Sequence, residues 1–411
     1  MMQAGVIIVG MGQGGFQVAA SLRDAGYEGA ITLIGEEPGL PYQRPPLSKS
    51  FLSGKVGSQQ IDLRPDSFYL GRNITLLASE RVVSIDRAAR TVALVSGQIL
   101  AFEHLVLATG ARPRPLNVPG THLHGVLALR SRSDAEGIYS QLQTAHSVVV
   151  VGSGFIGLEV SVVARAMGHD VHVVEFADRP LKRAVSKEVG YFLSAAQVQR
   201  GVNFHFSTGV VSLTGSHGKV TGVVTTAGQI IAADLVVIGV GVEPNVELAQ
   251  LAGLDVDDGI VVDAHLLTSD SAISAIGDCA RFPAAYSATL VRLESVQNAV
   301  DHARCVAARL AGKPEPYQKV PWFWSDQGDN RLQIAGVCNA SDDALVRGDV
   351  GSGKFSIFRF RGDQLTAVES INSVADHMAA RKLLSESIAL TRAQAVDLTL
   401  KLASLTLPSL T

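Results

Sequence analysis

Two short glycine runs carry the clearest chemical message in this sequence: Gly10-Met11-Gly12-Gln13-Gly14-Gly15 and Gly152-Ser153-Gly154-Phe155-Ile156-Gly157. Glycines at the GxGxxG spacing suit a backbone that must turn tightly, lie against a pyrophosphate and still let a helix pack on a strand. Each of those tasks excludes a Cβ. The helix that follows such a turn offers free N–H groups and a partial positive charge to phosphate oxygens. Each run is also followed, about 20–25 residues later, by a carboxylate at the end of an apolar segment, the spacing expected of a group that binds a ribose diol. These carboxylates are Glu36 and Glu175. One glycine turn alone would say little; two with matching acidic partners imply two dinucleotide sites. A carboxylate such as Glu175 repels a 2′-phosphate, which favours NADH over NADPH. Arg179, Lys182 and Arg183 follow closely and suit either a pyrophosphate or solvent. Gly277-Asp278, closing the apolar run Ile273–Ile276, adds a carboxylate suited to ribityl hydroxyls and points to FAD.

The elements that must position these groups follow from apolar periodicity. Val6–Val9, a helix to about Ala25 and Ile31–Ile34 form one βαβ unit, and Val148–Val151, a helix to about Met167 and Val171–Val174 form another. Leu105–Ala108, ending in Thr109-Gly110, and Leu235–Ile238, ending in Gly239 to Asn245, read as the exits of the two units. Ile273–Ile276 then returns to the first. The expected fold is α/β, with two Rossmann-like dinucleotide-binding domains, for FAD and NAD, and a smaller α+β C-terminal domain. The expected division is an FAD domain at 1–115 and 245–323, an NAD domain at 116–244 and a C-terminal domain at 324–411. In the last domain Leu332–Val337, Lys354–Arg359 and Leu365–Ile371 read as strands, and Thr391 as the N-cap of a helix Arg392–Leu402.

The 411-residue length suits several domains. Hydrophobic residues make up 47% and charged residues 18%, with a net charge of -3, so nothing suggests a nucleic-acid partner. The most apolar stretch, Val148–Gly168, is broken by Glu159 and Arg165 and makes a poor membrane span. Strand Val6–Val9 leaves no room before it for a secretory leader, so a cytoplasmic location is expected. Cys279, Cys305 and Cys338 lie far apart without a CxxC, which suits a reducing compartment and gives neither a disulfide framework nor a metal site. Cys279 reads as core packing.

Four further segments narrow the reading: Leu40-Pro41-Tyr42-Gln43-Arg44-Pro45-Pro46-Leu47-Ser48-Lys49, Glu294-Ser295-Val296-Gln297-Asn298-Ala299, Pro321-Trp322-Phe323-Trp324-Ser325-Asp326-Gln327 and Ala375-Asp376-His377-Met378-Ala379-Ala380-Arg381. With the glycine loops, they make the whole chain resemble the FAD-dependent NADH:ferredoxin reductases of oxygenase systems, the family of putidaredoxin reductase and the reductases of biphenyl-type dioxygenases. The resemblance implies that Gly10, Gly12, Gly14, Gly15 and Glu36 hold the FAD pyrophosphate and ribose, and that Val82 reads adenine through its backbone. It places Lys49 beside the reactive face of the flavin, Arg130 on the FAD phosphates, Asp278 on the ribityl chain and Val296 at the pyrimidine edge. Gly152, Gly154, Ile156, Gly157, Glu159, Glu175, Arg183 and Gly241 would line the NADH path. Arg44, Ala108, Thr109, Gly110, Gly277 and Glu294 complete the implied cofactor contacts, and Trp324 would pack near the flavin where the partner docks. Read from the residues alone, Trp322 and Trp324 suit packing at a domain junction equally well.

The implied reaction passes electrons from NADH through FAD to a small 2Fe–2S ferredoxin that feeds a cytochrome P450 or Rieske-type oxygenase. The protein would be a monomer or weak dimer without membrane insertion. Hydride transfer needs no acid–base pair, so positioning is the main contribution expected of the protein. No cysteine falls between Pro41 and Phe51, where peroxidases and oxidases of related design need one. Two alternatives stand beside this reading: a rubredoxin or general NADH:acceptor oxidoreductase, and an NADH-responsive redox binding protein resembling apoptosis-inducing factor. For docking an acidic ferredoxin, Arg304, Arg309, Lys313, Arg381 and Lys382 are the candidate cations.

Overall fold

In a computed structural model, described for residues 4–284, 286–287 and 289–406, the chain forms two compact units. The first unit comprises the chain up to Arg44, Ser58–Arg112 and Val242–Lys319; the second comprises Pro45–Gly57, Pro113–Gly241 and the chain from Val320 onward.

The first unit is organised by a seven-stranded sheet. Gly5–Val9 lies at its centre, parallel to Ala30–Gly35 on one side and to the end of Ile99–Leu107 on the other. Every residue of Gly5–Val9 is buried, as a strand covered on both faces requires. The chain leaves this strand toward Ala30–Gly35 and Ile74–Ala78, then returns to its other side. That reversal makes a crevice at the carboxyl ends of the strands. Ile273–Ala275 pairs with Ile99–Leu107 in the same sheet, so the third apolar run does return to the first βαβ unit. Helix Gln13–Asp24 packs beneath the sheet through Phe16, Val18, Ala19 and Leu22.

The second unit repeats the plan in a five-stranded parallel sheet. Ser147–Val151 sits between Asp170–Val174 and Leu235–Ile238, with Val202–His205 and Val126–Ala128 outside them. Helix Phe155–Ala166 follows its second glycine loop. This unit also holds an antiparallel five-stranded sheet in the order Trp322–Gln327, Asn330–Gly336, Gln364–Ile371, Lys354–Arg361 and Asp343–Asp349, covered by helix Val374–Ser385.

One expected element is shorter than its sequence suggests. Thr391 does cap a helix, with a reciprocal bond from Gln394, but the helix covers only Arg392–Val396. It stops because the Asp397 carboxylate takes the Thr399 N–H and hydroxyl, while the Arg347 guanidinium takes the carbonyls of Ala395, Asp397 and Leu400. Those interactions replace the helical bonds that Leu398 to Leu402 would otherwise need. Among the described residues, no helix is long and apolar enough to cross a membrane.

Candidate functional site

The two glycine loops fold alike because their glycines meet the same obstacles. Gly10 and Gly152 have φ of 116° and 99°, a region that favours glycine. A Cβ on Gly10 would stand 2.1 Å from the Ala108 carbonyl oxygen, and one on Gly152 would stand 2.5 Å from that of Gly239. At the end of each motif, a Cβ on Gly15 would lie 1.9 Å from the Gly10 carbonyl oxygen and one on Gly157 2.2 Å from that of Gly152. The middle glycines differ from both. Nothing lies within 4 Å of a Cβ on Gly12, and only the Gly239 carbonyl, at 3.9 Å, comes near one on Gly154. Each middle glycine is also the N-cap of its helix, with no side chain bonded to the first-turn N–H groups. The result is an open cradle of backbone donors, which fits a pyrophosphate.

The acidic partners are placed differently. The Glu175 carboxylate accepts from the Ser153 N–H at 2.7 Å, from the Ser153 hydroxyl at 2.6 Å and from the Ala177 N–H at 2.7 Å. It is therefore fixed to the second loop before any ligand arrives. Glu36 is exposed at the end of its strand. Met11 occupies the first-loop position of Ser153, and its side chain packs against Gly35 instead of offering a donor.

Other residues of the first unit gather at the same strand ends. Thr109 and Gly110 are clamped by Asn245. Its amide donates to the Thr109 carbonyl at 2.8 Å, its N–H donates to the Gly110 carbonyl at 2.9 Å, and its carbonyl accepts the Thr109 hydroxyl at 2.7 Å. Ala108 donates its N–H to Val9. Gly277 and Asp278 open a single 3-10 turn after the strand Ile273–Ala275. The Gly277 N–H is held by Nδ1 of fully buried His302 at 3.2 Å. Burial pushes the His302 pKa down to about 3, which keeps that nitrogen an acceptor. Val296 is the first residue of helix Val296–Leu310, where a backbone N–H is free of helical bonding. Val82 is buried at the start of its strand. Arg44 donates to Glu37 at 2.6 Å and to the Tyr42 hydroxyl at 3.2 Å. Burial opposes its charge, but Tyr42, Glu37 and Asp278 outweigh burial and raise its pKa. Glu294 is exposed and pairs with Arg292 at 2.6 Å.

In the second unit, half-buried Lys49 pairs with buried Glu159. The Lys49 ammonium lies 2.7 Å from the Glu159 carboxylate, whose side chain is 3% exposed. The turn before Lys49 is tight: the N–H groups of Lys49 and Phe51 both donate to the Pro46 carbonyl. Glu159 is reached from helix Phe155–Ala166, one turn past the second loop. Trp322 and Trp324 share one face of their strand, with ring centroids 5.8 Å apart. Arg381 covers the Trp322 ring at 4.3 Å. Ile156 and Arg183 are exposed, as is Gly241 after the central strands. The backbone N–H of Arg130 donates to the Asp134 carboxylate at a helix start.

The sequence alone assigns no role of their own to His302, Asn245 or Ser153. Asn245 bonds backbone carbonyl and hydroxyl groups far back in the chain, Ser153 occupies a variable position of its motif, and His302 stands on a helix remote in sequence from Gly277, so no motif spacing marks them. Of the candidate docking cations, Arg309 is committed elsewhere, donating to Ser274 at 2.6 Å.

A model of the pyridine nucleotide-disulphide oxidoreductase family matches residues 4–303, and a reductase C-terminal model matches residues 322–406. The chain belongs to the pyridine nucleotide-disulphide oxidoreductase family. It is an oxidoreductase, and members of this family use FAD and NAD(P)H. It is 51% identical to rhodocoxin reductase of Rhodococcus erythropolis over 392 residues, covering 95% of this chain and 92% of that one. The solved ferredoxin reductase of the CYP199A2 system from Rhodopseudomonas palustris matches with a TM-score of 0.96 and 46% identity, over 98% of this chain and 100% of that one. The reductase in the covalent putidaredoxin reductase–putidaredoxin complex matches with a TM-score of 0.95 and 38% identity, over 98% of each chain. The disulphide in the family's description has no counterpart here, since Cys279, Cys305 and Cys338 are all free thiols. Cys279 is fully buried, and burial raises its pKa, as befits a packing residue.

Proposed function

We propose that this protein is an NADH-dependent ferredoxin reductase that delivers electrons singly to a small 2Fe–2S ferredoxin serving a cytochrome P450 or Rieske-type oxygenase. The observation that carries the reading is the pair of open glycine cradles at the carboxyl ends of parallel strands in two sheets, one for each dinucleotide. The named functions of the similar reductases support the choice of partner.

Gly10, Gly12, Gly14 and Gly15 hold the FAD pyrophosphate, Glu36 takes its ribose, and Val82 meets the adenine. Arg44, Ala108, Thr109, Gly110, Arg130, Gly277, Asp278, Glu294 and Val296 complete the flavin contacts. Gly152, Gly154, Ile156, Gly157, Glu175, Arg183 and Gly241 hold NADH, and Glu175 disfavours a 2′-phosphate by like-charge repulsion. FAD held by these residues would supply two-electron acceptance from NADH and one-electron release. The protein's share is to hold the nicotinamide in register, to keep Glu159 against Lys49 and to place the Lys49 charge beside the flavin. Trp324 packs at the face where the ferredoxin docks. The division into an FAD domain (1–115 and 245–323), an NAD domain (116–244) and a C-terminal domain (324–411) belongs to the same reading. So do a cytoplasmic location, which the three free thiols support, and a monomeric or weakly dimeric state.

The test is NADH-driven cytochrome c reduction by the purified flavoprotein, with and without a 2Fe–2S ferredoxin. Reduction is expected to depend on the ferredoxin. Equal rates without it would overturn the reading in favour of a general NADH oxidoreductase.

A further inference from the structure

Lys49 and Glu159 are not an isolated pair. Three donors converge on the Glu159 carboxylate: the Lys49 ammonium at 2.7 Å, the Ser48 hydroxyl at 2.5 Å and the Ser325 hydroxyl at 2.5 Å. Ser48 and Lys49 share one oxygen, and Ser325 holds the other.

Behind Ser325 runs a line of buried polar groups in which the two amides have a fixed orientation. The Gln327 amide nitrogen reaches the Phe155 carbonyl at 3.5 Å as well as the Ser325 hydroxyl at 2.7 Å. Because a carbonyl can only accept, the nitrogen is the donor, and the Ser325 hydroxyl receives that bond. The Ser325 proton is thereby left for Glu159. In the same way, the Gln197 amide nitrogen donates to the Leu158 carbonyl at 3.2 Å and to the Gln327 amide oxygen at 3.1 Å. The Ser161 hydroxyl lies 2.7 Å from the Gln197 amide oxygen and 2.8 Å from the Leu158 carbonyl, two acceptors that share its single proton. The Gln197 and Gln327 amides thus each pass one donor along the line toward the carboxylate. Ser48, Ser161, Gln197, Ser325 and Gln327 are all buried.

Stability alone does not call for such an arrangement. A buried ion pair with its polar neighbours is commonly replaceable by apolar side chains at no loss of stability. A chain of aligned hydrogen bonds, by contrast, strengthens and orients the group at its end. Ser325 also adjoins Trp324 in strand Trp322–Gln327, so one carboxylate ties that strand to the loop bearing Lys49.

We propose that Ser325, oriented by Gln327, is a positioning residue that acts through Glu159 to fix the Lys49 ammonium for flavin reduction. The inference rests on the assignment of Lys49 to the flavin made above. Ser48 supports the same carboxylate from the loop side. Without the Ser325 bond, Glu159 keeps Lys49 and Ser48 on one oxygen while the other is left buried without its partner. The carboxylate then turns, and the ammonium follows it.

The experiment compares Ser325→Ala, Ser325→Thr, Lys49→Ala and the Ser325→Ala/Lys49→Ala double variant as flavin-loaded full-length proteins. Three quantities are measured: the midpoint potential of the bound flavin, the single-turnover rate of its reduction by NADH, and the affinity for NAD+. Ser325→Ala is expected to lower the potential in the same direction as Lys49→Ala. It should slow flavin reduction roughly tenfold or more, the scale of one hydrogen bond to a charged group, with NAD+ affinity unchanged. Ser325→Thr restores both, and in the Lys49→Ala background Ser325→Ala adds nothing. Gln327→Leu, one bond further from the carboxylate, gives the same direction with a smaller size and serves should Ser325→Ala not accumulate as folded protein. If Lys49→Ala is impaired but Ser325→Ala keeps the wild-type potential and rate, the inference is overturned and the Lys49 assignment stands. An equal Ser325→Ala effect with and without Lys49 also overturns it, by showing general loosening. A wild-type Lys49→Ala overturns the assignment and the inference together.

Discussion

The first and second glycine loops share a spacing, a helix and an open central glycine, yet they prepare for a ligand differently. In the second loop, Ser153 supplies both an N–H and a hydroxyl to Glu175, so the carboxylate is fixed in advance. In the first, Met11 stands at that position and seals the loop against Gly35, leaving Glu36 exposed. The first unit adds what the second does not use, a neutral buried histidine holding Gly277. One GxGxxG pattern therefore covers two kinds of pre-organisation: by a bonded carboxylate in one unit, and by backbone clamps on neighbouring strand ends in the other. Pre-organised contacts cost less ordering when the ligand binds.

The parallel between the loops is tested hardest at their closing glycines. Gly15→Ala and Gly157→Ala each drive a Cβ into a backbone carbonyl, at 1.9 and 2.2 Å. Each is expected to lose about 3 kcal/mol or more of stability. Gly15→Ala should also lose retained flavin, whereas Gly157→Ala should keep flavin and lose NADH reduction. Urea unfolding and flavin absorbance after gel filtration check both, and a flavin-replete, equally stable Gly15→Ala would break the parallel.

The contrast between the carboxylates gives the next largest effect. Glu175→Ala strands the Ser153 and Ala177 donors and should cost about 1–3 kcal/mol of stability, besides raising the KM for NADH. Glu36→Ala removes an exposed side chain, so stability should stay within about 0.5 kcal/mol while FAD dissociates more readily. Equal unfolding midpoints for the two variants would erase the difference between the loops.

A pH series compared between the wild type and His302→Gln tests the histidine of the first unit, since His377 of the second unit is also lowered, to about 4. His302 has a folded pKa of about 3 against an ordinary 6.5, and His104, also buried, is lowered to about 3. The unfolded chain binds these protons first. The stability that neutral histidine contributes is therefore complete above pH 6.5 and is lost as pH falls toward 3. Urea midpoints should decline across that window, with a shallower slope in His302→Gln. An unchanged slope would remove His302 from the account. The smallest effect belongs to Ser153→Ala, which removes one of two bonds from a single residue to Glu175. It should raise the KM for NADH roughly fivefold with kcat unchanged; no change would mean that the Ser153 N–H alone fixes the carboxylate.

Most of this architecture was legible in the sequence because its signals are local. Val6–Val9, Val148–Val151 and Ile273–Ile276 are apolar runs of strand length, and the glycine spacing follows from contacts within one turn. The end of the helix after Thr391 was not legible, because Arg347, far back in the chain, takes the carbonyls that end it. Glu159 was singled out only by the family resemblance, and its bond to Lys49 joins residues separated by more than a hundred positions.

The sequence by itself determined two dinucleotide-binding units, a carboxylate following each glycine loop and the absence of a redox cysteine pair. Those properties depend on residue type and short-range spacing, which chain connectivity preserves. Only the tertiary structure decided which carboxylate is bonded in advance, that Asn245 and His302 hold the strand ends, and that three donors converge on Glu159. Hydrogen bonding is directional and acts over about 3 Å, so partners distant in the chain become visible only once folding has brought them within reach.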